Sequence, residues 1–160
     1  MGKSCILARL TQQVFGAEHN VTIGVEFGNF AMTLKEKTNV KLQIWDTAGQ
    51  EKFDSLTKMY FQNTNAAIIM YDVTHDISFE KAQKWVNDLN QIETSDKTKI
   101  IKYLVGNKSD LNSEKTVSTS VGNEYAKTIG ASTDTYYTSG NYPTLTYGTR
   151  YESLVLQKDA

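Results

Sequence analysis

The sequence predicts an α/β domain: a mostly parallel, doubly wound sheet with one antiparallel hairpin at its edge. Three observations carry that prediction. Val40, Leu42 and Ile44 alternate with Lys41, Gln43 and Trp45, the period-2 pattern of a strand, and the apolar set stops where Asp46 begins. Residues 66–71 form a continuous apolar run, as expected of a parallel strand buried on both faces, and Phe79, Ala82, Val86 and Leu89 then recur at helical spacing. A second strand-then-helix unit runs from residues 100–105 to a helix near 121–129, and repeated strand–helix order is that of a doubly wound sheet.

A length of 160 residues fits one domain with a single sizeable core. The 17 basic and 18 acidic side chains give a formal net charge of −1, so there is no broad electrostatic footprint for nucleic acid or an anionic membrane. Cys5 is the only cysteine, which excludes an intrachain disulfide and makes a reducing, cytosolic compartment the expectation. No signal peptide precedes the first motif, and the apolar run at 66–71 is far too short to span a bilayer, so a soluble, cytoplasmic domain is expected.

Taken in order, Gly2-Lys3-Ser4-Cys5-Ile6-Leu7 reads as the second half of a phosphate-binding loop entering a helix, with Ile6, Leu7, Leu10 and Val14 as one apolar stripe. The full pattern is G-x-x-x-x-G-K-[ST] after a buried strand, and the sequence begins at the residue before the second glycine. Lys3 reaches phosphate oxygens as a point charge, Ser4 offers a hydroxyl to Mg²⁺, and the helix start presents free N–H groups to an anion. Residues 15–27 carry few helix signals and read as a long loop. Residues 27–41 then read as a strand, a turn at 36–39 and the strand leading to Asp46. Asp46 sits at that strand's C-terminal mouth, which in an open α/β sheet faces the ligand crevice, so its carboxylate can serve a cation. Gly49 lets an N–H approach a phosphate closely, and the neutral amide of Gln50 suits the orientation of a water. An ordinary turn is the other reading of Asp46-Thr47-Ala48-Gly49. Residues 55–61 look short and irregular. Asp72 ends the strand at 66–71, and Lys81, Lys84 and Asp88 are expected on the outer face of the helix behind it.

Gly2-Lys3-Ser4, Thr22, Asp46-Thr47-Ala48-Gly49-Gln50 and Asn107-Lys108-Ser109-Asp110 resemble, in order and spacing, the motifs of the Ras-superfamily small GTPases. Thr22-Ile23-Gly24-Val25-Glu26-Phe27, Lys41-Leu42-Gln43-Ile44-Trp45 and Ala48-Gly49-Gln50-Glu51-Lys52-Phe53 are similar to the Rab branch, the vesicle-traffic GTPases. The resemblance implies a P-loop NTPase fold whose first strand lies in the middle of the sheet; that strand and the first half of the loop are not in this sequence. It also implies GTP and GDP binding with Mg²⁺ and slow GTP hydrolysis as a switch at the cytosolic face of an endomembrane. In that scheme Gly2, Lys3, Ser4 and Cys5 hold phosphate, Ser4 and Thr22 ligate Mg²⁺, and Asp46 supports it. Thr22 and Gly49 give N–H groups to the terminal phosphate, and Gln50 positions the attacking water. Packing is the other use of Cys5. Phe15 would stack on the guanine, with core packing as its alternative.

In the same scheme Asn107 and Asp110 carry base choice, and Lys108 between them is a further nucleotide-binding residue. A carboxylate accepts two hydrogen bonds, and guanine presents N1–H and N2–H₂ side by side, whereas adenine would leave Asp110 unpaired. Ser139 and Gly140 match the backbone contact to the guanine oxygen, although Tyr137 and Asn141 depart from the family pattern. Phe27, Trp45 and Tyr60 match the aromatic trio through which Rab proteins meet effectors, with packing as the alternative. Exchange factors and GTPase-activating proteins are the other implied partners, the latter to supply an arginine, since Arg9 and Arg150 lie outside the loops expected to face the terminal phosphate. The family-like part is 1–139 of a single domain 1–160, and 140–160 diverges: Pro143 and Gly148 oppose the family's last helix. No cysteine ends the sequence to take the family's prenyl anchor. A second reading stays open, a truncated or degenerate relative that binds partners without turning over nucleotide.

Overall fold

The computed structural model describes residues 2–14, 22–34, 37–48, 59–61, 64–96 and 99–135. They fall into two compact units divided between Asn65 and Ala66.

In the first unit, helix α1 (Lys3–Gln12) accompanies strands β1 (Val25–Thr33) and β2 (Asn39–Thr47). The two strands pair antiparallel, from Val25 opposite Thr47 to Thr33 opposite Asn39. The reversal comes slightly earlier than the sequence suggests: Leu34 N–H donates to the Thr38 carbonyl at 2.9 Å, and Lys37 takes a left-handed φ of 60°. Leu7, Leu42 and Ala48 are buried apolar residues of this unit. Helix and hairpin pack closely at Gly28, since a Cβ there would lie 2.7 Å from Leu7 Cδ1 and 3.0 Å from Thr11 Cγ2. The expected stripe does not extend to Val14, which is 52% exposed. The helix ends before it, because Gln13 turns left-handed at φ 59° and its carbonyl accepts a bond from Arg9 Nη1 at 2.6 Å. Of the segment read as irregular, residues 59–61 are helical.

The second unit contains β3 (Ala66–Asp72), α2 (Asp76–Asp96), β4 (Ile101–Asn107), a 3-10 turn (Asn112–Glu114), α3 (Thr119–Thr128) and β5 (Ser132–Thr135). The three strands form a parallel sheet in the order β3-β4-β5, with Ala66 opposite Ile101 and Asp72 opposite Asn107. Phe79, Ala82, Val86 and Leu89 are all buried, as their spacing predicts. Asp88 is a correction: it is buried rather than outward, and its place in the helical period gives no sign of this. Ser118 caps α3, its Oγ accepting from Val121 N–H at 3.3 Å, so the helix begins ahead of the expected residue 121. β5 escapes a sequence reading, because Ser-Thr-Asp-Thr has no apolar run and becomes a strand only by pairing with Tyr103–Gly106. The result is the expected α/β content, a parallel sheet with helices and an antiparallel hairpin.

Two contacts in this unit make testable predictions. The buried ring of Tyr71 sits 4.9 Å from that of Phe79, which is itself 5.5 Å from Tyr125, and burial pushes both phenols above their ordinary pKa. The Tyr71 hydroxyl occupies the space a Cβ on Gly122 would need, 2.4 Å from it. Gly122→Ala should therefore destabilise by about 1–3 kcal/mol of overpacking, against about 1 kcal/mol of helix propensity gained. Adding Tyr71→Phe removes the clashing oxygen, so in thermal melts the double variant should be more stable than Gly122→Ala alone.

Glu93 ties the end of α2 to the start of β4. Its Oε1 accepts from Ile100 N–H and its Oε2 pairs with Lys102 Nζ, each at 2.5 Å, and Lys102 is buried. Burial alone would raise the Glu93 carboxyl, but the bonds from Lys102 and Ile100 with the charges of Lys102 and Lys99 outweigh it and hold it below the ordinary carboxylate range. A depressed folded pKa contributes stability that is fully present above the unfolded value, about 4.3, and is lost as pH falls through the lower folded value. Glu93→Gln is expected to cost about 1–3 kcal/mol at pH 7, by leaving Lys102 without its counter-charge. The gap between the two melting temperatures should narrow on acidification below pH ~4; a constant gap would show that the charge contributes nothing.

Candidate functional site

In the first unit the hairpin ladder positions the acid. Asp46 lies near the end of β2 opposite Glu26, and just beyond the ladder Ala48 N–H donates to the Gly24 carbonyl at 2.9 Å, fastening the approach to β1 beside the exit of β2. Thr22 stands in that approach. Ser4 comes from the first turn of α1, whose N-cap Gly2 is left-handed at φ 89°. That helix start has no side-chain cap and no acidic residue in its first turn, so its leading N–H groups and positive dipole end suit an anion. Lys3 and Cys5 flank Ser4 there, both half-buried.

Three oxygen side chains converge. Ser4 Oγ donates to Asp46 Oδ2 at 2.5 Å, Thr22 Oγ1 donates to the same oxygen at 3.3 Å, and the two hydroxyls are 2.7 Å apart. Asp46 is only 4% exposed, and its other oxygen, Oδ1, is buried with no hydrogen-bond partner among the described residues. Two hydroxyls beside a buried carboxylate with an unsatisfied oxygen form an all-oxygen set of the kind a hard cation takes. The residues fit Mg²⁺.

Phe27 and Trp45 are cross-strand partners in the same hairpin, with ring centroids 4.7 Å apart, and Tyr60 adds to the ladder 5.0 Å from Trp45. Phe27 is 46% and Trp45 36% exposed, so these rings form a surface ridge and do not fill a core.

In the second unit, the C-terminal ends of β3 and β4 build a polar cluster. Asn107 closes β4 and is buried, and its carbonyl accepts from Val73 N–H at 3.0 Å. Lys108 follows with a left-handed φ of 62°, its carbonyl taking Leu111 N–H at 3.0 Å to close a turn on which Asp110 is exposed and Ser109 buried. Lys108 Nζ reaches Asp72 Oδ2 at 2.6 Å, while Asp72 Oδ1 accepts from the Thr74 N–H at 3.0 Å and hydroxyl at 2.7 Å. Burial would raise the Asp72 carboxyl, but the bonds from Lys108 and Thr74 and the Lys108 charge prevail and hold it below its ordinary range.

Of the residues singled out by sequence, Ser4, Thr22 and Asp46 meet, Phe27, Trp45 and Tyr60 meet, and Asn107, Lys108 and Asp110 share one turn. Phe15, Gly49, Gln50, Ser139 and Gly140 lie outside the described residues. The sequence reading missed Asp72, taking it only as a strand end; the available signal was its place at the C-terminal mouth of a parallel strand, the position already credited to Asp46. Among the described residues no helix is long and apolar enough to cross a membrane.

Comparison with known proteins places this geometry. The family model described as "Ras family" matches residues 1–141. The chain is 42% identical over 130 residues to "Ras-related protein Rab-2B" of Dictyostelium discoideum, an alignment covering 81% of this chain. The chain spans 62% of the length of that relative. With a match running through both polar clusters and the aromatic ridge, the chain belongs to the Ras family, as a Rab-like member with that family's P-loop GTPase fold.

Proposed function

We propose that this chain is a single-domain guanine-nucleotide switch of the Rab type, which binds GTP and GDP with Mg²⁺ and hydrolyses GTP slowly. The observation that carries the reading is the convergence of Ser4, Thr22 and Asp46 with a buried, unsatisfied Asp46 oxygen. Ser4 and Thr22 would hold the ion and Asp46 would support it; bound Mg²⁺ supplies neutralising charge for phosphate oxygens. Gly2, Lys3 and Cys5 serve the phosphates, and Gly49 contributes an N–H to the terminal one. Gln50 orients the attacking water, and a partner arginine speeds turnover. Thr22 touches the terminal phosphate only in the triphosphate form, so hydrolysis releases its loop.

Asp110 selects guanine, Asn107 and Lys108 shape the turn that carries it, Phe15 stacks on the base, and Ser139 and Gly140 meet the guanine oxygen. The ridge of Phe27, Trp45 and Tyr60 is the effector face, with exchange factors and GTPase-activating proteins as further partners. The setting is vesicle traffic at an endomembrane, in keeping with the Rab name of the relative. Titration of the chain with fluorescent GDP and ADP, with Mg²⁺ and with EDTA, tests the reading. GDP should be preferred by roughly a hundredfold or more, because adenine leaves a carboxylate unpaired, and EDTA should weaken it. Equal affinity for the two nucleotides, or no binding, overturns the reading in favour of a partner-binding module without nucleotide.

A further inference from the structure

We propose that Asp72 is a positioning residue for base recognition: by holding the Lys108 ammonium it fixes the left-handed turn that presents Asp110. The inference rests on the guanine-nucleotide reading above and adds to it a residue on a different strand. Lys108 has φ 62°, a region disfavoured for a residue with a Cβ, so the turn needs an external hold. Nothing in Asn107-Lys108-Ser109-Asp110 itself provides one for the Lys108 side chain, whereas Asp72 Oδ2 lies 2.6 Å from its Nζ.

Asp72 is itself rigidly seated. It is buried at the end of β3, opposite Asn107, its N–H donates to Ser78 Oγ at 2.8 Å, and its second carboxylate oxygen is committed to Thr74. The next residue is fixed as well, because the Val73 carbonyl accepts from both Thr116 N–H at 2.9 Å and Val117 N–H at 3.0 Å. A fixed anion thus grips a cation whose backbone sits in an unfavourable region, and the Lys108 carbonyl continues that geometry into the Leu111 bond that closes the turn around Asp110. Release of the ammonium lets Lys108 return to common backbone angles and moves Asp110 away from the donor pair it reads.

The test is a double-mutant cycle on the whole chain loaded with fluorescent GDP, reading the release rate and the ratio of GDP to ADP affinity. Asp72→Asn is expected to speed GDP release about three- to fivefold, the scale of one partly exposed ion pair, and to narrow the ratio. In a Lys108→Gly background the left-handed turn needs no anchor, and Asp72→Asn should then change neither quantity. An equal effect of Asp72→Asn in both backgrounds overturns the proposal, as does loss of folding by Asp72→Asn, since either marks a purely structural role. Failure of the wild-type chain to bind GDP is a different outcome, removing the guanine-nucleotide reading and this inference together.

Discussion

Asp110→Asn is expected to weaken GDP binding by roughly a hundredfold or more and to turn the preference toward xanthine diphosphate, the scale at which sites built for hydrogen bonding reject mismatched partners. Asp110 is exposed on its turn, with its carboxylate open to a ligand. As an acceptor pair it complements the N1–H and N2–H₂ of guanine, while an asparagine amide presents a donor to the oxygen that xanthine carries at C2. Side-by-side titration with fluorescent GDP and XDP reads the switch. Because the side chain is exposed, thermal stability without nucleotide should stay within about 0.5 kcal/mol of wild type, so lost binding cannot be blamed on unfolding. Unaltered GDP affinity would show that Asp110 does not touch the base.

Ser4→Asn should act at the other polar cluster, lowering the Mg²⁺-dependent affinity for the triphosphate. Disturbing the outer partners of a metal ligand already costs roughly 10–100-fold, which sets a floor for loss of a ligand itself. Ser4 Oγ donates to Asp46 Oδ2 at 2.5 Å and also touches Thr22 Oγ1, so the longer amide disturbs both neighbours at once. Mg²⁺ titrations at a fixed concentration of fluorescent GTP analogue measure the effect. If the loss is the same in EDTA, the Ser4 hydroxyl serves only the hydrogen bonds seen here and not the ion.

The elements that could be read from sequence are those whose own residues carry the signal. β3 has an uninterrupted apolar run, α2 has its period of buried Phe79, Ala82, Val86 and Leu89, and β2 alternates faces up to Asp46. β5 and the burial of Asp88 depend on what other segments bring to them, which no local pattern encodes. The same division runs through the candidate site. Ser4, Thr22 and Asp46 announce themselves as oxygen ligands; the hairpin register brings the approach to β1, which carries Thr22, to the end of β2 where Asp46 lies, whereas Ser4 arrives from α1, which no local pattern ties to the hairpin. Asp72 looked like a strand terminator, because its partner Lys108 arrives from a separate strand through parallel pairing. The end of α1 differs from its sequence pattern for another reason: apolar spacing continues to Val14, but a left-handed Gln13 stops the helix first.

The bond from Ala48 N–H to the Gly24 carbonyl gives the hairpin a built-in clock. Antiparallel ladders open from their ends, so backbone amides exchange with deuterium in order of distance from the fraying end. Ala48 is buried, and its bond to Gly24 lies just beyond the ladder, where the approach carrying Thr22 enters β1. Its exchange rate, resolved by NMR against that of Leu42 deep in the ladder, therefore counts how often the approach carrying Thr22 lets go of the strand that carries Asp46.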